Sequence, residues 1–195
     1  NKLHKKTGLK KLTMAGGVAL NCTMNSKILD NTPFEELYIQ PAAWDGGTSL
    51  GSALYVWHDV LDNPRVQPME HAYWGPSYDR NQIAEVLEAY TLEIAQSGKS
   101  VTEFTDTNRL CQITAKDISE GKIIGWFQGK TEFGPRALGN RSIIADPRRH
   151  DMREILNERI KLRETFRPFA PSILEESVSE YFDTDRPVSY THLTL

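Results

Sequence analysis

Two cysteines in 195 residues, Cys22 and Cys111, are too few for a disulfide framework and too far apart for a metal-ligand spacing. Neither has a neighbouring motif that would activate it as a nucleophile. Such cysteine usage suits a reducing cytoplasm. No apolar run approaches the roughly 20 residues needed to span a bilayer, so the sequence shows no membrane anchor. Internal repeats and low-complexity tracts are lacking too. With 39% hydrophobic and 25% charged residues, the composition is that of an ordinary globular chain. Of the five histidines, His4, His58, His71, His150 and His192, no two are close enough to form a local ligand pair, and no complete metal site is demonstrable. The glycine turns contain neither a Walker motif nor a GxGxxG fingerprint.

Positive charge is present in one place. Between Lys130 and Arg167 ten Lys/Arg stand against six Asp/Glu, whereas the whole chain carries −3. Nucleic acid is one partner such charge can serve, but a surface for a polymer would usually make the whole domain basic and interleave aromatics, so a small phosphorylated ligand fits better and no nucleic acid is expected. The run "QGKTEFGPRALGNRSIIADPRR" combines glycines with arginines. Gly129, Gly134 and Gly139 would let backbone amides approach an anion, and Arg136 and Arg141 would add planar forks of donors. The competing reading pairs these arginines with Glu132, Asp146 or other carboxylates; composition alone leaves the two even. In "KLRETFRPFAP", Lys161 and Arg163 cannot share a helical face unless the helix has ended, and charge at a helix C-terminus is the simpler reading there.

The order of elements is α/β. "LTMA" reads as a strand, "GGVALN" as a glycine turn, 21–29 as a helix, "ELYIQ" as a strand and 48–61 as an apolar helix. Residues 63–76 read as a linker. A second segment brings a helix through Ile83 to Ile94, another around Leu110 to Ile118 capped by Gly121, and the strand "KIIGWF". "SIIAD" reads as a strand, Asp151 and Glu154 as a capping box, "FRPFAPSIL" as an edge strand, and 175–182 as a last helix. "AGGVALN" and "WDGGTSLG" both stand where a turn enters a helix; Asp45 could bind a metal or a ligand hydroxyl, or cap its own helix. The chain opens on Asn and soon enters a strand, as a cut start would. Val188–Leu195, "VSYTHLTL", resembles the in-frame translation of a sequencing adapter and is set aside as a non-native tail.

"GGVALNCTMNSKI" with "PAAWDGGTSLGSAL", then "YWGPSY", "GWFQGKTEFGPRALGNRSIIADPR" and "FRPFAPSIL" together resemble the C-terminal half of the NodU/CmcH-type O-carbamoyltransferases. The resemblance implies the end of an actin-like, Kae1-like domain over 1–62, the linker 63–76, and a YrdC-like α/β domain over 77–187, followed by the tail 188–195. It further implies that carbamoyl phosphate and ATP form carbamoyl adenylate, whose carbamoyl group passes to a hydroxyl of a small acceptor with a divalent metal, often iron, at the site. Arg136, Arg141 and Ser142 become catalytic candidates on this basis. Lys130, Asn140, Lys161, Arg163 and Arg167 become candidates for binding carbamoyl phosphate and nucleotide. Gly16, Gly17 and Asn21 are candidates for the adenylate, and Asp45 for the metal. The family also draws two histidines from upstream sequence not present here, and Asp45 alone would hold iron poorly. Relatives acting on a thiol or tRNA, and a non-catalytic phosphate-binding module, are the competing readings. The acceptor and the oligomeric state are not legible.

Overall fold

The computed structural model describes residues 1–182. The tail expectation, 188–195, lies outside the described residues. The chain divides into two compact units interleaved along the sequence. One holds Asn1–Ala72, Phe133–Arg136 and the described residues from Pro168 onward; the other holds Tyr73–Glu132 and Ala137–Arg167.

In the first unit, helix α1 (Lys2–Thr7) ends at Gly8 and leads to strand β1 (Lys11–Met14). Lys11 and Thr13 are exposed while Leu12 and Met14 are half-buried, the period of a strand with one wet face. A 3₁₀ turn over Gly17–Leu20 then feeds helix α2 (Cys22–Asn31). The Asn21 side chain caps α2 by accepting the Met24 amide at 3.1 Å. Strand β2 (Glu36–Ile39) pairs parallel with β1, Met14 opposite Ile39, so α2 is the crossover that parallel pairing requires. Ala19, Ile39 and Ala43 form the buried cluster, with Met14, Leu20 and Leu37 packed on it. Helix α3 (Thr48–Tyr55) continues in a π turn over Val56–Val60.

In the second unit, α4 (Arg80–Ala89) starts with a reciprocal box: Asp79 accepts the Gln82 amide and Gln82 accepts the Asp79 amide, each at 2.9 Å. The sequence pattern predicts one helix through Ile94, but the structure breaks it at Tyr90 and restarts as α5 (Thr91–Gln96). The Thr91 hydroxyl donates to the Leu87 and Glu88 carbonyls and competes for the acceptors an unbroken helix would use. Helix α6 (Thr107–Ser119) ends as expected, with Gly121 at φ 86° donating back to the Ile118 carbonyl. Strands β3 (Ile124–Phe127) and β4 (Arg141–Ile144) pair antiparallel, Phe127 opposite Arg141, so the arginine run 128–140 is the loop of a wide hairpin.

Helix α7 (Met152–Ile155) runs on as a π turn through Lys161. The expected capping box at Asp151 is not formed. Its carboxylate instead takes a two-pronged contact from Arg149, at 3.0 and 2.6 Å, which is charge-assisted where the cap would be neutral. The expected edge strand in "FRPFAPSIL" is also absent, and 168–174 is irregular. Pro168 and Pro171 have no amide hydrogen to give a ladder. The last helix of the described residues, α8 (Val178–Tyr181), follows a 3₁₀ turn. Helix and two small sheets, one parallel and one antiparallel, are consistent with the α/β class.

Candidate functional site

The hairpin loop is built around Glu132. This residue is only 8% exposed, and its Oε1 accepts the amides of Leu138 at 2.7 Å, Asn140 at 2.8 Å and Arg141 at 3.3 Å. Burial pushes its carboxyl pKa up, but the amide donors outweigh it and hold the group below the usual glutamate value. The remaining amide of that stretch, Gly139, donates to the Ser142 hydroxyl at 2.9 Å. Asn140 Nδ2 reaches back to the Lys130 carbonyl at 2.7 Å, and the Tyr73 hydroxyl holds the Leu138 carbonyl at 2.7 Å. Thr131 exchanges backbone bonds with Gly75 and Pro76, at 2.9 Å each.

Arg141 is aimed by neutral acceptors. Its Nη1 donates to the carbonyls of Gln128 at 2.6 Å and Asn140 at 2.8 Å, its Nη2 to that of Gly129 at 3.2 Å, and its Cζ stands 3.5 Å from the centroid of the Phe127 ring. Carbonyls and a ring face orient a guanidinium without cancelling its charge. Arg148 is different: it grips buried Asp146 through Nε and Nη2, at 2.8 and 2.7 Å, and this hydrogen bonding holds the Asp146 carboxyl at about 2. The paired-arginine reading therefore describes Arg148 and Arg149, whereas Glu132 gives its charge to backbone amides and not to an arginine.

A different network sets the second basic run. The helical turn ends at Lys161, and Leu162 adopts a left-handed conformation, φ 48° and ψ 52°, rare for a side-chain-bearing residue. Asn157, fully buried, donates from Nδ2 to the carbonyls of Thr165 at 3.1 Å and Arg167 at 2.9 Å. Its Oδ1 accepts Arg163 Nε at 2.7 Å. Arg167 pairs with Glu164 at 2.8 Å, and Lys161 is exposed.

In the first unit the glycine turn and the segment 133–136 meet. Gly16, at φ 99°, donates its amide to the Ala43 carbonyl at 2.6 Å, tying the turn to the loop that carries Asp45. Gly17 opens the 3₁₀ turn and Asn21 caps α2. Asn25, 2% exposed, donates from Nδ2 to the Ala19 carbonyl at 2.8 Å. Gly134 lies so close to Pro41 that a Cβ there would stand 2.8 Å from its carbonyl oxygen. Next to it, Arg136 donates from Nη2 to the Leu20 carbonyl at 3.0 Å.

Two family models match this chain: the carbamoyltransferase N-terminus over residues 1–54 and the carbamoyltransferase C-terminus over residues 115–195. The chain is 42% identical over 183 residues to nodulation protein NolO of Bradyrhizobium diazoefficiens, covering 92% of this chain and 32% of NolO. It belongs to the NodU/CmcH-type carbamoyltransferase family. Nodulation protein NolNO of Sinorhizobium fredii is 41% identical over 177 residues, 91% of this chain and 25% of that protein. The 3'-hydroxymethylcephem-O-carbamoyltransferase of Streptomyces clavuligerus is 28% identical over 174 residues, 89% of this chain and 30% of the enzyme. The chain thus spans under a third of the length of these relatives.

In this chain the predicted residues fall into separate sets. Lys130 and Asn140 belong to the hairpin loop and Arg141 and Ser142 to the start of β4 beside it, Lys161, Arg163 and Arg167 lie around Asn157, and Gly16, Gly17, Asn21, Asp45 and Arg136 belong to the first unit. The metal expected at Asp45 does not fit the residues present. Asp45 is exposed, and among the described residues no group of three His, Cys, Asp or Glu is placed to hold an ion. In the sequence Glu132 reads only as an arginine partner, and Asn157 and Asn25 do not read as site residues. Asn157 carried a signal, a polar residue inside the apolar run Ile155, Leu156 and Ile160 at helical spacing.

Proposed function

We propose that the chain is part of an O-carbamoyltransferase that makes carbamoyl adenylate from carbamoyl phosphate and ATP and passes the carbamoyl group to a hydroxyl of a small acceptor. One observation carries the reading. Arg136 and Arg141 are oriented by backbone carbonyls and, among the described residues, pair with no carboxylate, while Arg148, Arg149 and Arg167 do. A guanidinium held in place with its charge uncancelled is what a phosphate ligand needs.

Adenylate formation is attack on the α-phosphorus of ATP with pyrophosphate leaving. Its main demand is to offset charge on the phosphoryl oxygens, and fixed cations meet that demand without a protein nucleophile. Arg141 and Lys130 serve the phosphates of donor and nucleotide from the hairpin loop, with Ser142 holding the Gly139 amide so that the loop keeps its shape. Asn157 fixes Arg163 through its Oδ1, and Arg163 is a further candidate for a phosphate contact. In the first unit, Gly16, Gly17 and Asn21 present the turn that takes the adenylate, and Arg136 faces it. The name of the Streptomyces relative, with its hydroxymethyl acceptor, supports a hydroxyl as the group carbamoylated. The membership supports a carbamoyl donor; a divalent metal, iron among the choices, would need ligands besides Asp45.

The test is carbamoyl-phosphate-dependent ATP–pyrophosphate exchange, on this chain and on a version extended upstream in its gene, each with Arg136→Ala and Arg141→Ala. Exchange that each substitution lowers about 10²-fold is expected. No exchange in a folded, extended, ATP-binding protein would leave a non-catalytic phosphate-binding module.

A further inference from the structure

A run of backbone amides curled around one point is an anion site, and phosphate is its usual occupant. In the hairpin loop every amide from Leu138 to Arg141 is already committed. Leu138, Asn140 and Arg141 donate to one oxygen of Glu132, and Gly139 donates to Ser142. The occupant is the protein's own carboxylate, buried under the loop it organises.

We propose that Glu132 is a positioning residue for carbamoyl transfer: an internal anion that fills the amide nest of 138–141, and so leaves phosphate recognition to side-chain cations alone. This rests on the carbamoyltransferase reading above. The physical argument has two parts. An ionised carboxylate accepts amide hydrogen bonds about twice as strong as a neutral oxygen does, so the charge of Glu132, beyond its shape, sets the loop. The loop in turn sets Arg141, whose amide is anchored on Glu132 while its guanidinium holds the Gln128 and Gly129 carbonyls on the opposite side of the hairpin. With the nest filled, a substrate phosphate has no amides to take from this stretch, and its selectivity comes from the guanidinium fork.

The pair Glu132→Gln and Glu132→Ala separates charge from shape. In the 195-residue chain, E132Q should speed hydrogen exchange of the 138, 140 and 141 amides by at least about tenfold while the β3 and β4 amides keep their protection. In the upstream-extended protein, E132A should lower carbamoyl-phosphate-dependent exchange about 10²-fold. Formate, a free carboxylate that can re-enter the nest, should restore most of that loss and leave the wild type unchanged. A purely structural residue would not be rescued in this way. Unchanged amide exchange in E132Q would overturn the proposal. So would activity loss that formate does not relieve in a protein of unchanged melting temperature, since Glu132 would then touch substrate. Inorganic phosphate protecting these amides in the wild type would also overturn it. If E132A does not fold, E132Q carries both arms. A wild type with no carbamoyl-phosphate-dependent exchange would sink the functional reading, while the amide-exchange arm would still decide the nest.

Discussion

Arg136 donates to the carbonyl oxygen of Leu20 at 3.0 Å, joining residues 116 positions apart in the chain. The bond places a cation on the turn that follows β1, at the carboxyl end of a parallel strand pair, where open α/β sheets bind ligands. Its geometry depends on Gly134, which has φ 134° and no room for a Cβ beneath the Pro41 carbonyl.

Gly134→Ala should therefore disturb Arg136 without touching it. A side chain at that dihedral angle costs about 1–3 kcal/mol, and the close carbonyl adds to it. The expected outcome is a lower denaturation midpoint together with a loss of carbamoyl-phosphate-dependent exchange approaching that of Arg136→Ala. Wild-type exchange in G134A would show that the Leu20 contact does not govern activity.

Arg141 and Arg148 make a matched comparison. Arg141→Lys keeps the charge but loses the fork that spans the Gln128, Gly129 and Asn140 carbonyls, and part of the packing over Phe127. We expect a stability loss of no more than about 1 kcal/mol by urea unfolding, because the exposed Gln128 and Gly129 carbonyls can exchange the lost donors for water. Exchange activity should fall well below wild type. Arg148→Ala, whose cation is already matched by Asp146, should leave exchange within about twofold, since an interaction spent on a neighbour stabilises no transition state.

Asn157 has a different signature. Replacing it with Leu, in a position that is 0% exposed, removes the donor to the Thr165 and Arg167 carbonyls and the acceptor of Arg163 Nε. Each unsatisfied buried group costs about 1–3 kcal/mol, so N157L should unfold at markedly lower urea. Asn157→Asp, which keeps the acceptor for Arg163 and loses the two donors, should fall between. A KM for carbamoyl phosphate unchanged in N157D would detach Arg163 and Arg167 from the donor site.

Acid stability should carry the mark of Asp146. Its carboxyl titrates at about 2 in the fold against 3.8 for an ordinary aspartate, chiefly because Arg148 hydrogen-bonds the ionised form. A depressed folded pKa stabilises the protein wherever the group is ionised in both states, so the contribution is full above about pH 4 and lost as pH falls toward 2. Urea midpoints of wild type and Asp146→Asn should differ at pH 6 and converge by about pH 2, the floor set by that pKa. A constant difference across that range would contradict the Arg148–Asp146 assignment.

Local patterns were legible where neighbours in sequence decide the outcome. The strand at "LTMA", the helix that begins near Asn21 and the stop at Gly121 rest on interactions within a few residues, and the sequence shows them. The family was legible for the same reason, since "EFGPRALGNRSI" is long and ordered with its companion blocks. Spacing could not say which arginine is spent on which acceptor. Asp151 took Arg149 instead of a cap, Asp146 took Arg148, and Glu132 took three amides, because each carboxylate goes to the best donors the folded backbone brings within about 3 Å. That competition runs through contacts such as Arg136 to Leu20 and Asn157 to Arg167, whose partners are chosen by packing. The amino-acid order by itself determined most of the elements, the family and the short list of cations; the tertiary structure decided which of those cations pair with a carboxylate among the described residues, since only the fold places the carboxylates.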